Sequence, residues 1–174
     1  MPVSTARLTL LESDPQQLVA MIDSPESFEE LFGYSLADGL REFYTSGDVS
    51  PAWLAALRSA TDTDPWRHGF FIVDPQHNKV VGTAGFKGPP DADGVVEIAY
   101  GVAPEYQGRG YATETAHALV DFALSDPSVR TVRAHTLPEP NASTRVLTKN
   151  GFRHLGEVMD PEDGRVWRWE LPRS

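Results

Sequence analysis

The pattern of hydrophobic and polar residues divides the chain into a helical front third and a remainder rich in strands. From Gly69 onward, short apolar runs bounded by turn residues predict strands at Phe70–Asp74, Lys79–Phe86 and Val95–Val102. Residues 75–78 read as a turn between the first two of these strands, which predicts a hairpin. The centre of the chain is therefore predicted to be a meander of strands.

Helices are predicted where apolar residues recur at helical spacing behind a capping residue. Asp14-Pro15 and Ser50-Pro51 each combine a capping side chain with proline in the first turn. A short helix is predicted over residues 25–32. Two further helices, over residues 113–124 and 141–149, are predicted in the second half of the chain.

The remaining strands are predicted at residues 7–11 and 131–136 and in a closing hairpin of residues 153–159 and 165–171. The order of elements is a helical front, a central meander and then β-α-β-α-β-β. This order predicts a mixed α/β sheet of six or seven strands. Residues 1–174 are predicted to form a single domain, because no repeat or linker is found and a domain averages about 150 residues.

Composition excludes several classes of protein. The chain has 174 residues, no cysteine and a formal net charge of −10, so disulfides, thiolate metal sites and a cysteine nucleophile are excluded. A pI near 4.8 argues against a general nucleic-acid-binding protein, which needs a basic patch. No stretch approaches the roughly 18–20 apolar residues of a membrane span, and no secretion signal is recognised. A soluble, cytoplasmic protein is therefore expected.

The most informative segment joins the strand Val95–Val102 to the helix predicted over residues 113–124. Its glycines, Gly108 and Gly110, let the backbone turn sharply and approach a ligand closely. The N–H groups of such a loop converge at the positive end of the helix dipole, which suits a phosphate or pyrophosphate. A tight turn that needs glycine for its geometry alone stays open as the alternative.

Two familiar nucleotide-binding motifs are excluded at this loop. A P-loop ends in Gly-Lys-Ser/Thr, whereas Gly110 is followed by Tyr111-Ala112. A Rossmann fingerprint has glycine or alanine three residues after its second glycine, where Thr113 stands, and an acidic residue about 20 residues further on. Residues 130–133 supply no acidic residue. Neither motif fits.

Two segments resemble motifs of the GNAT superfamily of acetyl-CoA-dependent N-acetyltransferases. The core of its motif A, Gln/Arg-x-x-Gly-x-Gly/Ala, is present as Gln107, Gly110 and Ala112. Residues 141–152 resemble the helix and strand that follow, and their detail is similar to the RimJ/RimL-like branch, as are residues 5–8. The resemblance covers nearly the whole chain.

The resemblance implies a GNAT fold, which is a splayed, mixed sheet with helices on both faces, and acetyl-CoA as co-substrate. The pantetheine arm would follow the strand near the backbone of Tyr100 and Val102. Asn141 matches a family position beside that arm. The pyrophosphate would rest on the loop, at Gln107, Gly108, Arg109, Gly110, Tyr111 and Ala112.

A general base is needed because attack on a thioester requires a neutral amine, and most primary amines are protonated at pH 7. Glu97 is the first candidate: strand alternation places it on one face with Ala99 and Gly101, which leave room for a ligand. Some GNAT enzymes carry a general-base glutamate on this strand. His135 is the second candidate, at a place where other GNAT enzymes carry a carboxylate. A salt-bridged glutamate and an ordinary half-buried histidine are the structural alternatives.

The general acid is harder to assign. Many GNAT enzymes use a tyrosine on the helix before the Gly-Phe pair to reprotonate the leaving thiolate, and here Leu147 stands at that turn. Ser143 is the nearest replacement. The branch often has asparagine three residues before the serine, whereas Asn141 precedes Ser143 by two. A thiolate whose thiol has a pKa near 8.5 leaves without full protonation, so an acid is not strictly required.

The sequence therefore predicts an N-acetyltransferase that moves an acetyl group to a primary amine by direct attack in a ternary complex. The acceptor stays open between a protein N-terminus and a small amine. The alternative is a non-catalytic acyl-CoA-binding sensor or interaction module, which the missing tyrosine favours. The histidines form no metal-spaced cluster, so no metal is expected. Relatives are commonly dimers, and a homodimer stays open.

Overall fold

The computed structural model describes residues 2–45 and 49–174, with the predicted elements in the predicted order, four short additional strands and α-helices, and a 3-10 helix at Pro104–Tyr106. The helices are α1 (Pro15–Asp23), α2 (Pro25–Phe32), α3 (Leu40–Thr45), α4 (Pro51–Ser59), α5 (Pro65–His68), α6 (Tyr111–Leu124) and α7 (Ala142–Lys149). The strands are β1 (Val3–Ser4), β2 (Thr9–Glu12), β3 (Ser35–Leu36), β4 (Phe70–Asp74), β5 (Lys79–Phe86), β6 (Val95–Val102), β7 (Thr131–Thr136), β8 (Arg153–Asp160) and β9 (Gly164–Pro172). The additional strands and α-helices are β1, β3, α3 and α5.

Capping residues fix the starts of the front helices as predicted. The Asp14 carboxylate accepts hydrogen bonds from the N–H groups of Gln16 and Gln17 at the start of α1. Ser50 caps α4 in the same way. By contrast, α6 begins two residues earlier than predicted, because Gly110 adopts the left-handed conformation and the helix starts directly behind it.

The strands form one sheet in the order β1-β2-β4-β5-β6-β7-β9-β8, with β3 beside β5. The described residues thus contain nine strands, where six or seven were predicted. The difference lies in β1 and β3, which have two residues each and are too short to show an alternating pattern. The pairs β3–β5 and β6–β7 are parallel and the others are antiparallel, so the sheet is mixed, as predicted.

Helices cover both faces of the sheet, as the aromatic residues of β4 demonstrate. Every residue of β4 is buried. Phe70 packs edge-on against Phe122 of α6, with ring centroids 5.3 Å apart. Its neighbour Phe71 points to the opposite face and packs against Phe28 of α2, also at 5.3 Å. The central strand is therefore enclosed between α6 and α2.

The sheet opens between β6 and β7. Their parallel pairing ends at Glu97 opposite Arg133. Beyond that point, residues 98–102 of β6 pair with β5 alone, and residues 134–136 of β7 pair with β9 alone. The two strands consequently diverge into the gap that a splayed sheet requires, and the residues that the sequence analysis selected lie around it.

Candidate functional site

The gap between β6 and β7 leaves one edge of β6 open to a ligand. The Lys87 N–H donates to the Glu97 carbonyl at 2.9 Å, so Glu97 turns its backbone groups toward β5. Because this direction alternates along an antiparallel strand, Tyr100 and Val102 turn their backbone groups toward the gap. The position predicted for a pantetheine arm thus offers the backbone groups of Tyr100 and the N–H of Val102, whose carbonyl is engaged by Gln107, to an extended, amide-containing chain.

Gln107 closes the turn that follows this edge. Its side-chain Nε2 donates to the Val102 carbonyl at 2.9 Å, and its backbone N–H donates to the Pro104 carbonyl at 3.3 Å. Gln107 therefore holds the loop against the end of β6. Its own N–H is already engaged, so the free amides of the loop begin at the next residue.

The loop presents a run of unused N–H groups at the start of α6. From Gly108 to Thr113, no backbone N–H donates to a carbonyl or side chain within residues 2–45 and 49–174. These groups lie at the positive end of the dipole of a 14-residue helix. The arrangement suits a phosphate or pyrophosphate, which accepts several hydrogen bonds at once.

Glycine is required at two positions of this loop. Gly108 and Gly110 have φ angles of 77° and 83°, a region that residues with a Cβ adopt only with strain. At Gly110 a Cβ would also lie 3.1 Å from Nη2 of Arg7. The residues present therefore fit an anionic group that approaches the backbone closely.

The side chains of Arg109 and Tyr111 turn away from the N–H groups. The Arg109 guanidinium lies over the ring of Tyr106 and donates to the Glu105 carbonyl. The buried Tyr111 hydroxyl donates to Oδ2 of Asp74 at 3.0 Å, and burial together with this carboxylate raises the pKa of the tyrosine. At Arg109 and Tyr111, therefore, only the backbone N–H groups are available to a ligand at the loop.

The sequence analysis missed the role of Arg7. Its guanidinium forms an ion pair with Glu114 on the first turn of α6 and lies 4.7 Å from the ring centre of Tyr111. Thr5 donates to the same carboxylate at 2.7 Å. Arg7 thus ties the start of the chain to the first turn of α6 beside the loop, with its charge paired to Glu114. The only signal was the motif of residues 5–8, which marked the branch without indicating a site.

Asn141 caps α7 through a reciprocal pair of hydrogen bonds with Thr144. The Asn141 Oδ1 accepts from the Thr144 N–H at 2.9 Å, and the Thr144 Oγ1 accepts from the Asn141 N–H at 3.0 Å. Thr144, three residues after Asn141, therefore fills the place where the branch often has serine, and the sequence analysis missed it. Ser143 is half-buried, and its hydroxyl makes no hydrogen bond to another described residue.

Glu97 lies at the point where β6 and β7 part, within a cluster of charged side chains. Its Oε2 is 3.0 Å from Nζ of Lys87 and 3.1 Å from Nδ1 of His135. Lys87 reaches in turn to Oδ2 of Asp163 in the β8–β9 turn, at 3.1 Å. The two candidate bases, which the sequence analysis selected separately, are therefore in direct contact.

His135 is buried between Glu97 and Arg168. The Arg168 Nε donates to Nε2 of His135 at 3.1 Å, so Nε2 is the acceptor of the ring and a neutral ring carries its proton on Nδ1. The Nδ1 atom faces Glu97 but has no hydrogen bond of good geometry to any described residue. With Nε2 engaged, His135 offers no free lone pair to an amine.

Three further expectations concern a general acid, a metal site and a membrane span. Leu147, which stands at the turn where the resemblance led us to look for a tyrosine, is 1% exposed and has no ionisable group. In the part of the chain that the structure describes, no three histidine or acidic side chains are grouped to bind a metal ion. No helix in the same residues is long and apolar enough to cross a bilayer.

Comparison with known proteins identifies the class. The profile of the Acetyltransferase (GNAT) domain matches residues 7–153. The uncharacterized N-acetyltransferase YjdG of Bacillus subtilis (strain 168) is 33% identical over 89 residues, which is 51% of this chain and 51% of that protein. The chain thus spans about half the length of the curated relatives it matches.

Solved structures agree in fold. A GNAT-family acetyltransferase from Bacillus anthracis matches with a TM-score of 0.66 and 18% identity, covering 99% of this chain and 98% of that one. RimL, a ribosomal L7/L12 α-N-protein acetyltransferase solved with coenzyme A, matches with a TM-score of 0.65 and 16% identity over 99% and 98% of the two chains. The predicted GNAT fold is therefore confirmed.

The chain belongs to the GNAT acetyltransferase domain family. Membership confirms, at the level of the family, the predicted acetyltransferase class and the use of acetyl-CoA as co-substrate. The roles of the individual residues, the acceptor and the RimJ/RimL-like branch stay predictions.

Proposed function

We propose that this chain is an acetyl-CoA-dependent N-acetyltransferase that moves an acetyl group to a primary amine by direct attack in a ternary complex. The observation that carries the proposal is the continuity of two binding features. The open edge of β6 at Tyr100 and Val102 leads directly to the free N–H groups from Gly108 to Thr113. A cofactor with an extended amide arm and a pyrophosphate needs these features in this order.

In the proposed reaction, Glu97 accepts a proton from the ammonium group of the acceptor. The neutral nitrogen then attacks the thioester carbon, the carbon–sulfur bond breaks, coenzyme A leaves as the thiolate, and the nitrogen releases its second proton to that thiolate or to solvent. Backbone N–H groups on the open edge of β6 polarise the acetyl carbonyl. The chain thus contributes positioning, carbonyl polarisation and removal of one proton.

The remaining site residues take supporting roles in this proposal. Asn141 offers its side-chain NH2, which has no hydrogen-bond partner among the described residues, to the cofactor arm. Ser143 is the candidate for reprotonating the thiolate.

We further propose that residues 1–174 act as one acetyltransferase domain of RimJ/RimL-like type. The motif at residues 141–152 supports the branch. RimL acts on a ribosomal protein, and a protein N-terminus is accordingly one acceptor to test beside small amines. A homodimer and a cytoplasmic location stay predictions from the sequence.

The first experiment is a thermal shift assay with acetyl-CoA, free coenzyme A, ATP and NAD in parallel. A ligand at 100 times its dissociation constant stabilises the folded protein by roughly 2.7 kcal/mol. We expect a higher melting temperature with both coenzyme A forms and no change with NAD. If a folded sample responds to neither form, the loop is not a pyrophosphate site and the proposal is wrong.

The second experiment separates an enzyme from a non-catalytic binder, which the buried Leu147 favours. Glu97→Gln keeps the size of the side chain and removes its basicity. We expect kcat for thiol release with an amine panel to fall about 100-fold or more, with an unchanged thermal shift by acetyl-CoA. A wild-type protein that binds acetyl-CoA but releases no thiol with any amine would identify a binder.

A further inference from the structure

An alkylammonium group already lies against the candidate base. The Lys87 Nζ is 3.0 Å from Oε2 of Glu97 and 3.1 Å from Oδ2 of Asp163. The three side chains come from different parts of the fold: the end of β5, the middle of β6 and the β8–β9 turn. Two carboxylates from separate elements therefore converge on one primary ammonium.

Lys87 is held there as a cation but is not locked in place. Burial of the ammonium lowers the pKa of Lys87, but its hydrogen bonds and charge attraction to Glu97 and Asp163 outweigh this effect and raise the pKa to about 12. The Lys87 side chain is 38% exposed and that of Asp163 is 52% exposed. An ion pair this open to solvent is weak enough for another cation to exchange with it.

A second observation indicates that the cluster is incomplete without a ligand. The His135 side chain is 5% exposed, and its Nδ1 has no hydrogen-bond partner in the described residues, although it lies 3.1 Å from Oε2 of Glu97. Buried polar atoms normally have a partner. Because Nδ1 carries the proton of the neutral ring, the partner it lacks is an acceptor atom; a bound acyl group would supply one through its carbonyl oxygen, and the ammonium would bind beside it against Glu97.

We propose that Lys87 occupies the ammonium subsite of the acceptor in the free protein, and that an acceptor with a primary alkylammonium group displaces it. This inference rests on the proposed function, because it assumes that the acceptor binds against Glu97. The occupant is an ammonium on an unbranched methylene chain. The acceptor class is accordingly a small aliphatic amine or diamine rather than the α-ammonium of a protein N-terminus, which sits on a branched carbon.

The rival explanation is that Lys87 is a structural cross-strand partner of Glu97. Lys87 directly follows β5 and donates its N–H to the Glu97 carbonyl, so the two residues are cross-strand neighbours just beyond the last β5–β6 pair, where opposite charges stabilise a sheet. In that case the loss of Lys87 loosens the site and weakens amine binding. The two explanations predict opposite signs for the same variant.

The test is calorimetric titration of 1,4-diaminobutane into the coenzyme A complex of each variant. We expect Lys87→Met to lower the dissociation constant about fivefold, the size that an exposed ion pair supports. Asp163→Asn removes one carboxylate and is expected to raise the dissociation constant. Lys79→Met is the matched control, since it removes the same charge at the far end of β5, roughly 25 Å away along the strand, and is expected to change nothing.

Weaker diamine binding in both Lys87→Met and Asp163→Asn, or no change in Lys87→Met, would overturn the inference. A peptide with a free α-amino group serves as the second probe, and an equal gain for it in Lys87→Met would overturn the assignment to alkylammonium. Thiol release measured on the same proteins keeps the two proposals apart. If the dissociation constants change as expected but the wild type transfers no acetyl group, only the proposed function is contradicted. If the wild type transfers acetyl groups but the dissociation constants do not change as expected, only the subsite assignment is contradicted.

Discussion

At the scale of single residues, the contacts of Glu97 and His135 suggest different roles for the two side chains in the proposed proton transfer. Nε2 of His135 is engaged by Arg168, and Nδ1 faces Glu97, so of these two residues Glu97 is the one proposed to take a proton from an amine. We expect His135→Asn to reduce kcat about tenfold, through loss of orientation of Glu97, and Glu97→Gln to reduce it by 100-fold or more. The rates of thiol release at saturating acetyl-CoA measure both.

Because the two side chains act as a unit, the double variant is expected to be no slower than Glu97→Gln alone. The measurement that decides is the order of the single variants. If His135→Asn loses more activity than Glu97→Gln, the histidine is the base and the assignment of roles is wrong.

The role of a side chain could be predicted from the sequence where its hydrogen-bond partners are close to it along the chain. The capping roles of Asp14 and Ser50 were predicted correctly, since a cap acts within three residues of itself. The contact between Glu97 and His135 was not foreseen, because it depends on the parallel register of β6 and β7. The position of Arg7 beside α6 likewise joins residues more than 100 positions apart.

At the scale of elements, the loop before α6 has a conformation that requires glycine and a proposed role in binding the cofactor, and a pair of variants separates the two. Gly110 and Gly33 have nearly the same left-handed conformation, with φ of 83° and 84°. An alanine at either position costs about 1 kcal/mol of stability through backbone strain. Only in Gly110→Ala does the added Cβ also enter the loop that carries the free N–H groups, 3.1 Å from Nη2 of Arg7. We expect both variants to melt a few degrees lower, and only Gly110→Ala to lose stabilisation by acetyl-CoA.

Gly33→Ala is a close control because nothing lies within 4 Å of its added Cβ and because it ends α2, outside the loop. Thermal melts with and without acetyl-CoA give both quantities in one series. A Gly110→Ala protein that keeps the full shift would show that the glycine serves the turn alone. In that outcome the N–H groups of the loop are not where the cofactor binds.

Element prediction succeeded where a pattern was long enough to be read. The predicted bounds of β4, β5, β6 and β7 agree with the structure, because runs of five to eight residues show their periodicity. The missed elements are two-residue strands and helices of six residues or fewer. Such short elements are stabilised by the neighbours they pack on, which no local pattern reveals.

At the scale of the whole molecule, one buried carboxylate joins the centre of the sheet to the loop. Asp74 ends β4 with 1% of its surface exposed. It accepts hydrogen bonds from Nδ1 of His77 at 2.6 Å, the N–H of Gln76 at 3.0 Å and the hydroxyl of Tyr111 at 3.0 Å. The start of α6 is therefore tied to the β4–β5 turn through this side chain, and its charge state affects the stability of the fold.

The pH dependence of stability follows from the pKa of Asp74. Burial opposes ionisation, but the hydrogen bonds from His77 and Tyr111 outweigh it and hold the pKa of Asp74 below its usual value. The unfolded chain therefore takes up a proton first as the pH falls. The stabilisation is complete above the unfolded pKa of about 3.9 and is lost as the pH falls through the lower folded value.

We expect Asp74→Asn to lower the melting temperature at pH 7 by roughly 5 °C, because a buried hydrogen bond to a charged group contributes about 1.5–3 kcal/mol. The difference from wild type should then shrink as the pH falls below about 4, because the unfolded chain becomes protonated before the native carboxylate does. Asp62→Asn, at an exposed loop position, is expected to follow the wild type throughout. Melting curves across this range decide: a difference that stays constant down to pH 3 would mean that Asp74 acts through its shape and not through its charge.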